Sequence, residues 1–335
     1  MKYILSILVL ALGFISCERD VDTNRISVSD LYSEFEIKDT LNVTRTSIDF
    51  EVDEKTVFTA EFNKPVLWNL TIKGEKSGAV KTISGLSREL NSENAAWDGS
   101  TSTLPFFRRG EDCTAELNIS SEDTTLFLSE TLTVKTAKTN EGSLIADFEG
   151  SKKINSDWDW FFQDGVGFVS LRHRTKAAQG EYYYKMFGEC SWDWLIGMLN
   201  IPSSAYPDET FGLSDDPNEV YFNVMLNFIS GEPRVLIRFN EDDNNDGVFD
   251  PEKEDSYSIT LQGLEPGWQQ ISVKYSDLVV VDENGNVIAP NGNNVHNPNL
   301  LNLVDILLLA DPEIGGVSQV NMDYIIFTEN EPLKP

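Results

Sequence analysis

Histidine is almost missing from this chain, with only His173 and His296 among 335 residues. That excludes an imidazole cluster for zinc and removes the usual base of a nucleophilic triad. His173 and its neighbour Arg172 read as surface residues rather than catalytic ones. Cysteine is scarce as well: Cys17, Cys113 and Cys190. The last two fall in separate domains on the division drawn below, so they are expected as small buried thiols, not a disulfide. Basic residues are outnumbered, 26 against 55 acidic, for a formal charge of -29. Phosphate binding needs a basic footprint, so nucleic acid is excluded as a partner and anionic substrates are disfavoured. Neutral ligands and divalent cations remain. No Gly-Xaa-Ser-Xaa-Gly, His-Glu-Xaa-Xaa-His or phosphate-binding loop occurs. Carboxylate pairs alone can hydrolyse glycosides, but nothing in the sequence singles out a pair. No apolar run reaches the roughly 20 residues that cross a bilayer as a helix.

The short apolar run that does exist is N-terminal. Lys2 supplies a positive start, Ile4 to Phe14 an apolar stretch, and Ser16-Cys17 a small residue before a cysteine. This is the layout of a signal peptide over residues 1–16, and its end resembles a lipobox. The resemblance implies cleavage before Cys17 and acylation of its thiol and new amine, a stable anchor when several chains are attached. Glu18, Asp20 and Asp22 follow, and they resemble the export tag of surface lipoproteins of the Bacteroidota. The expected location is therefore the outer membrane, lipid-anchored and exposed at the cell surface.

The length suggests two domains. Residues 17–40 are polar and acidic, as in a tether. Period-two alternation then begins: Trp68, Leu70 and Ile72 against Asn69, Thr71 and Lys73, then Leu117 and Ile119, then Leu132 and Val134. This places a first domain at 41–138, whose size and spacing suit an immunoglobulin-like sandwich. Val66 to Ile72, Gly78, Val80 to Ile83 and Trp97-Asp98-Gly99 resemble the immunoglobulin-like repeat of flagellar hook-capping proteins and bacterial surface modules. That likeness implies a spacer. Residues 139–143 read as a linker.

A second domain is expected at 144–330. Val220, Phe222, Val224, Leu226 and Phe228 form one face of a long strand. Val235, Ile237 and Phe239 alternate in another, and Val320, Met322, Tyr324 and Ile326 in a last one. Helical periodicity is nearly absent; Pro298 to Leu309 reads at most as a short helix leading into a strand. Many short strands between Gly, Asn and Pro predict a second β-sandwich, a jelly roll. Asp147-Phe148-Glu149-Gly150, Gly180 to Gly188 with Trp192-Asp193-Trp194, Gly267-Trp268-Gln269-Gln270 and Asn321 to Phe327 resemble galactose-binding-like jelly rolls, the fold of carbohydrate-binding modules. The whole layout is similar to surface glycan-binding lipoproteins of Bacteroidota polysaccharide-utilisation systems. The resemblance implies non-catalytic capture of a neutral polysaccharide or oligosaccharide, handed to neighbouring hydrolases and an importer. A structural or adhesive surface protein is the alternative, and a glycoside hydrolase or lyase the third reading.

Three constellations are candidates for binding. Asp242-Asp243-Asn244-Asn245-Asp246-Gly247-Val248-Phe249-Asp250 matches the start of an EF-hand loop. Asp242, Asn244, Asp246, the Val248 carbonyl, Asp250 and Glu252 (or Glu254) would give a structural Ca²⁺ its hard oxygens; the alternative is a solvated hairpin tip. Trp158, Trp160, Trp192 and Trp194, with Asp159 and Asp193, offer indole faces for sugar C–H groups and carboxylates for hydroxyls, or else they are core, as Trp usually is. Tyr221, Asn223, Asn227 and Arg238 point away from the apolar sides of their strands and could read hydroxyls from a concave face, or simply be solvated.

Overall fold

The computed structural model describes residues 34–150, 157–281 and 286–335. The expected leader, Cys17 and the tether up to residue 33 lie outside them. Among the described residues the chain is almost wholly β, and its helical elements are single 3-10 turns. No helix there is long and apolar enough to cross a membrane.

The first part contains β1 (Ile37–Val43), β2 (Ser47–Asp49), β3 (Thr56–Gly74), β4 (Val80–Leu90), β5 (Ala96–Trp97), β6 (Glu111–Ile119), β7 (Thr124–Phe127) and β8 (Leu132–Thr136). Pairing starts at Ile37, inside the stretch read as tether. The sheet runs β1-β3-β6-β8-β2, with β4, β5 and β7 attached beside it. β3 buries alternate residues, so Phe58, Trp68, Leu70 and Ile72 face one core. The Trp-Asp-Gly triplet has a mechanical reason. Trp97 is fully buried, edge-on to Phe50 and Phe107 at 4.8 Å each, and donates Nε1 to the Ser100 carbonyl at 2.9 Å. Gly99 sits at φ +84°, and a Cβ there would lie 2.6 Å from the Phe50 ring, so only glycine fits.

The second part contains β9 (Ser143–Ala146), β10 (Asp159–Phe162), β11 (Val169–Arg174), β12 (Tyr182–Glu189), β13 (Leu195–Pro202), β14 (Val220–Ser230), β15 (Arg234–Glu241), β16 (Ser256–Leu261), β17 (Gln269–Lys274), β18 (Val280–Val281), β19 (Val287–Ile288), β20 (Leu301–Leu309) and β21 (Val317–Glu329). They form an antiparallel jelly-roll sandwich: β10-β13-β20-β15-β16 in one sheet, β11-β12-β21-β14-β17 in the other, with β9 on β21. The expected short helix is one 3-10 turn, Pro298–Leu300, leading into β20. Between the sheets Phe222 meets Phe239 at 5.0 Å and Phe327 at 5.4 Å. Val220, Phe222, Val224, Leu226 and Phe228 all join this core.

The last strand departs from simple alternation. Val320 and Met322 face the core, but so do Ile325 and Phe327, while Tyr324 and Ile326 turn outward. A bulge causes the switch: a step of two residues along β14, from Asn223 to Met225, matches a step of three along β21, from Ile326 to Asp323. The turned-out residues dock the two parts together. Tyr324, Ile326, Met225, Ala178 and Leu333 pack with Phe106 of the first part. Phe106 N donates to the Ala178 carbonyl at 2.7 Å, and Thr101 N to the Pro335 carbonyl at 3.1 Å. The outer side of the six-stranded sheet is therefore covered along β14 and β21.

Candidate functional site

The outer side of the five-stranded sheet carries the best-formed site. Directly paired residues of antiparallel strands point to the same face. Asp159 pairs with Asn200, Asn200 with Asp305, Asp305 with Arg238, and Arg238 with Ser258. One residue from each strand thus forms a continuous polar row. Strand spacing makes it roughly 19 Å long, and its β16 end is covered, where Ser258 is buried and donates Oγ to the Val279 carbonyl at 3.2 Å. The adjacent row is Phe161, Met198, Leu307, Leu236 and Thr260. Phe161 is 44% exposed and leaves a ring face open at the β10 edge.

Electrostatics organise the middle of the row. Arg238 Nη2 lies 3.0 Å from Asp305 Oδ2, which also accepts from Asn240 Nδ2 at 2.9 Å. Burial pushes the Asp305 carboxyl above the usual range, although Arg238 and Asn240 pull the other way. Asn200 Oδ1, Asp305 Oδ1, Arg234 Nε and Arg238 Nε are buried yet have no hydrogen-bond partner among the described residues. Buried polar atoms are normally satisfied, so four such atoms on one side of the sheet single it out. This side of the sheet carries two carboxylates, Asp159 and Asp305, and two guanidinium groups, Arg234 and Arg238, with Asp305 and Arg238 in direct contact. The patch is locally balanced on a chain of net charge -29.

The aromatic candidates divide. Trp194 is 43% exposed and Trp192 is 55% exposed. The Arg234 guanidinium stacks on the Trp194 ring at 4.4 Å, and the Trp194 carbonyl accepts from Ala310 N at 2.9 Å, fixing the turn to the end of β20. Asp193 braces that turn: it accepts from Gln163 Nε2 at 2.7 Å and from Trp194 N at 2.6 Å, bonds that hold its carboxyl below its ordinary value. Trp160 is half-buried, stacked between Phe162 at 5.3 Å and Phe168 at 5.9 Å. Trp158 is core. It is buried against Phe148 at 5.6 Å and donates Nε1 to the Tyr206 hydroxyl at 3.2 Å.

The four polar residues read as one face do not share one. Tyr221, Asn223 and Asn227 lie on β14 in the six-stranded sheet, whereas Arg238 lies on β15 in the other. Tyr221 sits under the Lys274 ammonium at 5.9 Å, and Asn227 accepts from Gly267 N at 3.2 Å. Asn223 is fully buried and structural. Its amide donates to the Ile326 carbonyl at 3.2 Å and Thr328 Oγ1 at 3.0 Å, and its oxygen accepts from Leu333 N at 3.0 Å. Asn223→Ala is expected to cost about 2–3 kcal/mol by stranding these buried groups, read as a lower denaturation midpoint.

The 242–254 loop differs from the expected calcium loop. Both Asp242 oxygens hold loop amides, from Asp246 N at 3.0 Å and Gly247 N at 2.6 Å. Asp246 Oδ1 accepts from Val248 N at 3.0 Å, and Asp250 takes Glu252 N and the Lys253 ammonium. Asn244, Val248 and Glu252 are exposed, while Glu254 is buried and accepts from Asp250 N at 2.6 Å. These carboxylates cap the loop's own backbone instead of converging.

Asn200, Asp305, Phe161, Met198, Leu307, Leu236 and Asn240 belong to the site but carry no familiar motif. The one available signal is Asp305, a lone carboxylate within the apolar run Leu303-Val304-Asp305-Ile306-Leu307.

Among solved structures, the chain is similar to the family 11 carbohydrate-binding module from Clostridium thermocellum in complex with a beta-1,3-1,4-mixed-linked tetrasaccharide. The identity is 12% and the TM-score 0.36, over 57% of this chain and 96% of that one. It is similar to the CBM22-1 xylan-binding domain from Paenibacillus barcinonensis Xyn10C at 13% identity and TM-score 0.32, over 58% and 98%. It is also similar to TmCBM61 in complex with beta-1,4-galactotriose, at 10% identity and TM-score 0.30, over 56% and 99%. No protein-family model and no curated protein matches it.

Proposed function

We propose that this protein binds a neutral polysaccharide, without cleaving it, on the outer face of the five-stranded sheet. The in-register row Asp159–Asn200–Asp305–Arg238–Ser258 beside the apolar row carries the reading. Its planar polar groups suit hydroxyl rims, and Phe161 and Trp194 suit sugar C–H faces. A non-catalytic role is supported by the carboxylates. Asp159 and Asp305 stand two strands apart, roughly 10 Å by sheet spacing, at the outer limit for paired-acid hydrolysis. Asp305 is also tied to Arg238. With the lipobox-like Cys17, this makes a lipid-anchored surface protein of a polysaccharide-utilisation system, the first part acting as a spacer beneath the binding sandwich.

The test is affinity electrophoresis of the purified protein through gels carrying neutral plant and algal polysaccharides. Retardation by at least one glycan is expected, reduced in Trp194→Ala and Phe161→Ala, with no new reducing ends on incubation. No retardation across a broad panel would replace this reading with a structural or adhesive role. New reducing ends would make the protein a hydrolase.

A further inference from the structure

Three carboxylates that the calcium-loop pattern passes over do converge. Glu241 ends β15, Asp243 follows it by two residues, and Asp255 directly precedes β16. One oxygen of each lies within 4.8 Å of the others. Glu241 keeps the inward parity of Val235, Ile237 and Phe239, while Asp242 turns its carboxylate to the loop amides of Asp246 and Gly247.

Glu241 and Asp255 are fully buried. Among the described residues no lysine or arginine forms an ion pair with any of the three. Most of their oxygens are held in place. Glu241 Oε1 accepts from the Tyr275 hydroxyl and Asn297 N, each at 2.8 Å. Asp255 accepts from Gly292 N at 2.6 Å and Asn294 N at 2.8 Å, and Asp243 from Asp255 N at 3.0 Å. The exception is Glu241 Oε2, which is buried without any partner. A second observation concerns space. A Cβ on Gly292 would lie 2.0 Å from Asp243 Oδ2 and 2.7 Å from Asp255 Oδ1, so the 291–297 segment closes against these oxygens only because position 292 has no side chain.

We propose that Glu241, Asp243 and Asp255 bind a hard divalent cation, calcium by its donor set, which ties the ends of β15 and β16 to the 291–297 segment. Three like charges so close repel strongly in a dry site, and a divalent ion turns that repulsion into attraction. The donors are all oxygen, as calcium requires, and the site lacks the nitrogen or sulfur that zinc favours. This site is independent of the glycan face.

The test is calorimetric titration of chelator-stripped protein with calcium chloride. Wild type is expected to bind, and Glu241→Gln and Asp255→Asn each to weaken one site by more than about tenfold. Gln keeps an acceptor for Tyr275 and Asn297, which favours folding of that variant. Asp246→Asn, in the loop tip, is expected to retain the site. A second readout uses terbium in place of calcium. The Tyr275 and Tyr257 hydroxyls touch Glu241 and Asp255, so tyrosine excitation is expected to sensitise terbium emission that calcium quenches and that Tyr257→Phe lowers. Absence of calcium binding by wild type, or binding undiminished in both carboxylate variants, overturns the assignment. If neither variant folds, missing tyrosine-sensitised emission overturns it.

Discussion

Arg238→Ala is expected to weaken polysaccharide binding by about 10- to 100-fold, the worth of one or two charge-assisted hydrogen bonds. Arg238 stands in the middle of the polar row, and its side chain is 37% exposed. It is open enough to meet a ligand yet anchored on Asp305. Its Nε is buried without a partner, so it is the exposed outer edge of the guanidinium that can donate to a sugar hydroxyl. Removing the side chain also strips Asp305 of its counter-charge in a site where burial already disfavours the ionised form. The second acceptor of the row then becomes a neutral acid or a costly buried charge. The double loss is why Arg238 is expected to matter more than Asn200 or Ser258. Asp305→Asn keeps an acceptor for Asn240 and is expected to weaken binding less. Tyr221→Ala, in the opposite sheet, is the matched control and should bind as wild type. Affinity electrophoresis on the retarding glycan, with a thermal melt to confirm folding, decides the matter. A folded Arg238→Ala that binds as wild type, or a Tyr221→Ala that does not, would remove the site from the five-stranded sheet.

What the sequence made legible was face parity, and what it hid was which sheet owns each face. The alternation of Val220 to Phe228 identified the buried side of β14, because period two is local. It could not say that Tyr221 and Arg238 belong to opposite outer sides, since sheet partnership is set by pairings far away in the chain. The two Trp-Asp-Trp triplets make the same point. Trp158 and Trp192 open near-identical triplets, yet one packs on Phe148 and bonds to Tyr206 while the other is exposed. Only tertiary neighbours separate them. At β21 even parity failed, because a one-residue bulge cannot be read from Asn321 to Phe327 alone. The calcium motif meets the same limit. The pattern attends to Asp242, Asn244 and Asp246 and says nothing of Asp255, which the far end of the loop brings to Glu241 and Asp243. Asp305 was readable in principle, since a carboxylate inside an apolar strand needs a partner.

Trp97→Ala is expected to cost the first part about 3–5 kcal/mol, the range for truncating a large buried aromatic. The ring is enclosed by Phe50 and Phe107, and its Nε1 satisfies the Ser100 carbonyl. The lesion is therefore a cavity plus an orphaned acceptor, in a turn where Gly99 leaves no side chain to refill the space. A domain holding about 5–15 kcal/mol in total would lose a large share of its stability. The polar row lies in the other sandwich, whose core shares no residue with the core around Trp97. The predicted result is a denaturant melt that splits into two transitions, the earlier one belonging to residues 37–136, with polysaccharide binding surviving it. Hydrogen exchange would assign the transitions. The contacts of Phe106 with Tyr324 and of Arg108 with Ala177 set the opposing expectation. If that interface stabilises the binding sandwich strongly, both parts melt together and binding falls with the first. Loss of binding while β13, β15 and β20 still resist exchange would defeat the proposed division of labour, because it would place part of the glycan site in the spacer.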